Sequence, residues 1–189
     1  VAAVSHPRAP RDAVDAIVEG WRASRPGLDV TPIQVILRIG RIRAAVERAT
    51  EETFARFGLT PATFTALAAI ARLESDRGVP QTRLMRELKL TSGTVSVRVD
   101  RLVADGLAVR AADPDDGRGT LVSLTARGRD LFERAAPAHL DTERRLLAAL
   151  SHEEQERLAD LLRVLLIDLE GAADDAAPPA AAPAGGAGA

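Results

Sequence analysis

Cysteine is absent from the 189-residue chain, which excludes a disulfide framework, a thiolate metal cage and a sulfur-based redox switch. Tyrosine is also absent and aromatics reach only 3%, too few for the aromatic-rich strands of a β-sandwich. Lysine is nearly missing: Lys89 is the only one among 25 basic side chains, so any basic footprint must be local and built from arginine. The formal charge of -2 offers nucleic acid no global attraction. No apolar run approaches the roughly 18 residues of a membrane span, and no apolar leader opens the sequence; a cytoplasmic chain without a membrane partner is expected. Histidines stand only at His6, His139 and His152, far apart. No phosphate-binding glycine loop, nucleophile elbow, His-Glu-x-x-His helix or evident carboxylate pair accompanies them, so neither an enzyme nor a metal or cofactor site is expected.

What the chain does hold is 46% hydrophobic and 28% charged residues, enough for one core beneath a helical, charged surface. Residues 1–11 and 171–189, rich in Pro, Ala and Gly, bury too little to offset ordering entropy and read as disordered tails. Between them, residues 12–58 hold a short helix, with Ala13, Ile17, Val18 and Trp21 at helical spacing, and a long one. The long helix starts with Thr31 as cap before Pro32 and runs to Phe57. Residues 59–125 begin with a Thr60-Pro61 helix start. Compact helices over Gln81–Leu88 and Thr91–Ala104 follow, with too short a link to lie in line. Alternating apolar residues in 107–111 and 120–124 then flank Asp113-Pro114-Asp115-Asp116-Gly117, the pattern of a β-hairpin. Residues 126–170 return to helical period, with a Ser151/Glu154 capping box and a helix ending at Glu170.

A helix-turn-helix followed directly by a hairpin is the order of a winged helix, whose second helix enters the DNA major groove. Stepping 100° per residue from Val95 places Val99, Leu102 and Val103 in one sector. Gly93, Thr94, Val97, Asp100 and Arg101 fall opposite, with Ser96 and Arg98 flanking the apolar stripe. Hydroxyls, a guanidinium and one apolar group able to meet a thymine methyl are suitable base readers. Thr91 and Ser92 stand at the helix start, where a hydroxyl and free amides favour a phosphate. Arg118, at the hairpin tip, suits a minor groove or a phosphate, with Asp116 placed to orient it or Arg101. The same segment also fits a winged helix used only for protein contacts.

Leu158, Leu161, Leu162, Leu165, Leu166 and Leu169 line the last helix, and Val164 and Ile167 widen that surface beyond one stripe. The long helix offers a second face through Val35, Ile36, Ile39, Ile42 and Val46. Helices of two subunits could interdigitate to cover both, and an intrachain bundle is the alternative.

The run Ser92 to Leu102, then Asp105-Gly106-Leu107, Asp113 to Gly119, Val122 to Thr125 and Gly128 resembles the multiple-antibiotic-resistance regulator (MarR) family. The resemblance spans roughly Val14 to Glu170. It implies a mainly α fold, a winged helix-turn-helix with a two-strand wing and an intertwined helical dimerisation domain. It implies further a homodimeric regulator, usually a repressor, that binds a pseudo-palindromic duplex and is released by a small ligand. An added first helix bearing Trp21, the Arg98–Leu102 run and the Pro137–Leu140 segment are similar to the PecS, HucR and TamR branch, whose members bind urate or small polycarboxylates. By that resemblance Trp21 and Arg110 match effector-binding positions, while the position that is acidic in the branch falls at Thr65. An aromatic wall and a cation would suit a small anion, urate-like or a carboxylate. Trp21 as a hydrophobic anchor and Arg110 as a phosphate contact are the alternatives. His139 resembles a position near the dimer pivot, where protonation around pH 6–7 would add like charge to the interface; a merely half-exposed histidine is the plainer reading.

Overall fold

Asp12 opens the first helix by accepting the backbone N–H groups of Val14 and Asp15 at 2.8 and 3.1 Å, and Asp15 reaches back to the Asp12 N–H. This reciprocal cap starts α1 (Ala13–Ser24). The computed structural model describes residues 10–117 and 119–176, without side-chain detail for 172–176; residues 1–9 and 177–189 of the expected tails lie outside the described residues. Packing divides the chain into two units that meet within one helix, the first ending at Glu143 and the second starting at Arg144.

In the first unit, α1 buries Val14 and Val18 against Val30, Ile33 and Leu37, and α2 (Thr31–Ala55) supplies the last two. Arg38 of α2 bonds both Asp12 and Asp15, at 2.9 and 2.8 Å. Its guanidinium holds the Asp12 carboxyl below its ordinary value of 3.8, helped by the capped N–H groups of Asp15 and Val14. A folded value below the unfolded one means that this contribution is complete above about pH 4 and fades as pH falls through the lowered value. Trp21 is the single tryptophan and lies on α1. Its emission is therefore expected to hold steady from neutral pH down to about 4 and to shift below that, while Asp12→Asn shifts it already at pH 7. An unchanged Asp12→Asn spectrum would leave Val14 and Val18 as the whole attachment.

Thr31 is not the cap expected of it. It is the first helical residue, its N–H donates to Asp29 at 2.9 Å, and the buried Val30 occupies the cap position. After Ala55 the backbone turns through Gly58 at φ +69°. Thr60 then caps α3 (Pro61–Leu73), with Pro61 at the first position, where a missing N–H costs nothing. Leu67 and Ile70 of α3 are fully buried and center the main core, each contributing roughly 1.5–3 kcal/mol.

The chain continues as β1 (Val79–Pro80), α4 (Gln81–Leu88), α5 (Ser92–Ala104), β2 (Ala108–Ala112), β3 (Thr120–Leu124) and α6 (Ala126–Leu146). The sheet has three antiparallel strands in the order β1-β3-β2, one more than the hairpin expected from sequence. β1 pairs Val79 with Val122 and Pro80 with Leu121. Glu74, beyond the end of α3, locks this region: it accepts the Leu124 N–H at 2.9 Å and the Arg129 guanidinium at 3.0 Å.

In the second unit, Ser151 and Glu154 form the expected box, the Ser151 N–H donating to Glu154 at 2.7 Å and the Glu154 N–H to Ser151 Oγ at 3.3 Å. They open α7 (His152–Ala176), which passes the expected end at Glu170. Gly171 costs a helix only about 1 kcal/mol and the alanines after it are the best helix formers, so nothing at Glu170 forces a stop. No described side chain of α7 is buried.

Candidate nucleic-acid interface

The turn between α4 and α5 is made by a residue in an unfavourable conformation. Lys89 adopts φ +50°, ψ +45°, left-handed space that costs a non-glycine residue roughly 1–2 kcal/mol. In return the Lys89 and Leu90 N–H groups cap α4, donating to Arg86 O at 3.3 Å and Met85 O at 3.1 Å. Thr91 then caps α5, accepting the Thr94 N–H at 3.4 Å and sharing a hydroxyl bond with Thr94 at 2.9 Å.

Val95, Val99 and Leu102 are fully buried, which fixes the rotation of α5 on the core. Thr91, Ser92, Gly93, Thr94, Asp100 and Arg101 are exposed, and Val97 is 69% exposed. Ser96 and Arg98 are half-buried on the flanks, as the helical stepping places them. Val103 departs from that stepping. It was placed with the buried stripe and is 38% exposed, because its position lies about 80° from Val95, at the stripe's margin.

Arg101 pairs with Asp105 on its own helix, Nε to Oδ2 at 2.9 Å, a partner that the sequence reading does not name beside Asp116. In the wing loop, Asp113 accepts the Asp115 N–H at 3.1 Å, and Asp115 pairs at 2.8 Å with Arg77 from the turn before β1. Sequence reading passed over Arg77, since only the β1–β3 pairing brings its turn beside the wing. Arg118 lies outside the described residues.

The expected effector positions fall in three places. Trp21, 43% exposed, borders a hollow of about 260 Å³ with Ile17, Gly20 and Ser24. Arg110 points from β2 to α5 and α4. It bonds the Asp100 carboxylate, the Ser96 carbonyl at 3.2 Å, Ser96 Oγ at 3.3 Å and Gln81 Oε1 at 3.5 Å. Thr65 donates to Pro61 O at 2.7 Å and lines a separate cavity of about 780 Å³. That cavity brings Thr65 together with His139, three phenylalanines (Phe54, Phe64, Phe132) and the Arg72–Glu87 ion pair. The His139 ring lies 5.0 Å from that of Phe54 and 5.1 Å from Phe64, Nε2 is 3.3 Å from Glu143, and Nδ1 is buried without a hydrogen bond. None of the phenylalanines, nor Arg72 and Glu87, was singled out from sequence: they gather from four helices, and only their packing makes a site.

Among the described residues no cluster of His, Asp and Glu could hold a metal ion, and no helix is long and apolar enough to cross a membrane.

Comparison with known proteins agrees with this geometry. The family model described as the MarR family matches residues 57–119, which include the helix-turn-helix, β2 and the wing loop and stop before β3. The HTH-type transcriptional regulator PecS of Dickeya dadantii is 32% identical over 149 residues, 79% of this chain and 90% of that protein. A probable transcriptional regulator from Pseudomonas aeruginosa, known as a crystal structure, is 38% identical with a TM-score of 0.57, covering 67% of this chain and 96% of that one. An E. coli MarR variant complexed with operator DNA shares the fold at a TM-score of 0.63 and 24% identity, over 77% of this chain and 97% of that one.

Proposed function

The chain belongs to the MarR family of DNA-binding transcriptional regulators, which are not enzymes, and we propose that it acts as a homodimeric repressor released from its operator by a small anionic effector. The observation that carries this reading is the rotation of α5: Val95, Val99 and Leu102 face the core, so Thr94, Val97 and Arg101 face outward on a helix held by a tight turn. A two-fold axis presents two such helices to successive major-groove faces, about 34 Å apart, which calls for a pseudo-palindromic operator. The match along nearly all of PecS, with a helix ahead of α2, supports placement in the PecS, HucR and TamR branch.

The effector is best housed by the cavity that joins Thr65 and His139. Its volume falls within the range of small-molecule sites, its phenylalanines suit a flat ring, and Arg72 suits an anionic group. An anion on Arg72 competes with Glu87, which belongs to α4, so occupancy is felt by the helix preceding the reader. The ligand need only favour the arrangement that does not fit DNA.

Duplex enriched from a random pool by the purified chain provides the test, read by fluorescence anisotropy. Affinity should fall steeply with salt, by a log–log slope of about -0.9 per phosphate engaged. Arg101→Ala should weaken the enriched duplex by roughly tenfold to a hundredfold without lowering the melting temperature, since an exposed pair such as Arg101–Asp105 contributes little. Full affinity in that variant would place base reading elsewhere, and no duplex binding by the parent chain would favour a protein-docking winged helix. For the effector, a compound among urate, citrate, aconitate and salicylate is expected to raise the melting temperature and release DNA, and to do neither in Ala68→Trp, which fills the cavity.

A further inference from the structure

We propose that Arg110 is a positioning residue for base reading: its guanidinium ties the wing strand to α5 and neutralises Asp100 on the groove-facing side of that helix. The proposal rests on α5 being the reading helix. Arg110 occupies the middle of β2, paired with Val122 of β3, so its backbone is held by the sheet. Its side chain is only 28% exposed and lies among acceptors of the protein itself, which is poor placement for a phosphate contact.

The partners are unequal in what they do. Asp100 is well exposed beside Val97 and Arg101, where an unpaired carboxylate would repel the phosphates that flank a groove. Pairing with Arg110 cancels that charge locally. The Ser96 carbonyl belongs to the helix backbone, and a helical carbonyl has a second lone pair open to an outside donor. Through the 3.2 Å bond to it, Arg110 grips the backbone of α5 halfway along the reader. Gln81, at the start of α4, adds a third element at 3.5 Å. One cation thus sets the reading helix against both the wing and the preceding helix, at a point where a small rotation moves Val97 and Arg101 off their bases.

A charge-only role and a positioning role separate experimentally. The quantity to measure is the ratio of affinities for the enriched duplex and a scrambled duplex, for the full-length chain with Arg110→Gln, Asp100→Asn and the two combined. Arg110→Gln is expected to lower the ratio about tenfold. Asp100→Asn frees a positive charge, so it should tighten binding to both duplexes while still lowering the ratio. The double variant should lose no more of the ratio than Arg110→Gln alone, because both changes break one linkage. Additive losses would overturn the proposal, as would an unchanged ratio in a normally folded Arg110→Gln. Should Arg110→Gln fail to fold, Asp100→Asn decides alone, and a retained ratio refutes positioning. Failure of the reading-helix assignment would look different: the parent chain would show no preference for the enriched duplex.

Discussion

Gly128→Ala is expected to cost the first unit more than about 3 kcal/mol, a large part of the 5–15 kcal/mol that holds a typical domain together. A Cβ at Gly128 would stand 2.0 Å from the Leu107 carbonyl oxygen and 3.0 Å from its carbon, and these are backbone atoms that no rotamer change can move. The carbonyl is already committed, since it accepts the Thr125 N–H at 3.0 Å. Thr125 in turn donates its hydroxyl to Gly106 O at 2.8 Å and accepts the Gly128 N–H at 3.0 Å. To admit one methyl group, the first turn of α6 must withdraw from the root of the wing and break this three-bond joint. Denaturant unfolding followed by far-ultraviolet circular dichroism measures the loss. Gly20→Ala is the control: α1 leaves open space around Gly20, so alanine there should be neutral or stabilising by roughly 0.5–1 kcal/mol. A Gly128→Ala midpoint near that of the parent would mean that α6 slides freely on the wing root.

How much of this was legible in advance follows from the range of the forces involved. Thr60-Pro61 and Ser151/Glu154 are signals within one helical turn, and both cap the helices they announce. The rotation of α5 was readable because one helix face against one core is a periodicity problem, and only Val103, at the margin, was misplaced. Trp21 shows where periodicity fails. Ile17, Val18 and Trp21 looked like one stripe, yet α1 is narrow enough to bury only Val14 and Val18, and the indole stays 43% exposed. β1 was invisible for a different reason: two residues, one of them proline, carry no alternation, and their pairing partner lies more than forty positions on. The cavity as such had no signal. Thr65 and His139 came forward only through the family resemblance and for separate reasons, and only three-dimensional packing shows that Phe54, Phe64, Phe132 and His139 leave room between them. The reach of Arg110 was hidden likewise, because alternation assigns a face to β2 without saying which acceptors stand above it.

Leu162→Asp combined with Leu165→Asp is expected to turn the protein into a folded monomer and to weaken operator binding by more than about a hundredfold. No described side chain of α7 is buried by its own chain, so the two substitutions open no cavity in the protomer. What they remove is apolar surface that the protomer leaves uncovered. Leu158, Leu161, Leu162, Val164, Leu165, Leu166, Ile167 and Leu169 are all exposed along α7, and Val35, Ile36, Ile39, Ile42 and Val46 along α2. Single exposed leucines need no explanation, but two long helices so covered exceed what a monomer keeps in water. A second copy offers the same surfaces in return, and the proposed homodimer would bury them as a shared core in which a carboxylate is strongly disfavoured. Loss of that dimer would leave each reader with one half-site and forfeit the gain from joining two binding events, while the α5 surface would stay as it was. Light scattering for mass, circular dichroism for helix content and anisotropy for DNA affinity together decide the outcome. A parent chain that already runs as a monomer, or a double variant that remains dimeric, would assign these leucines to cover within a single chain.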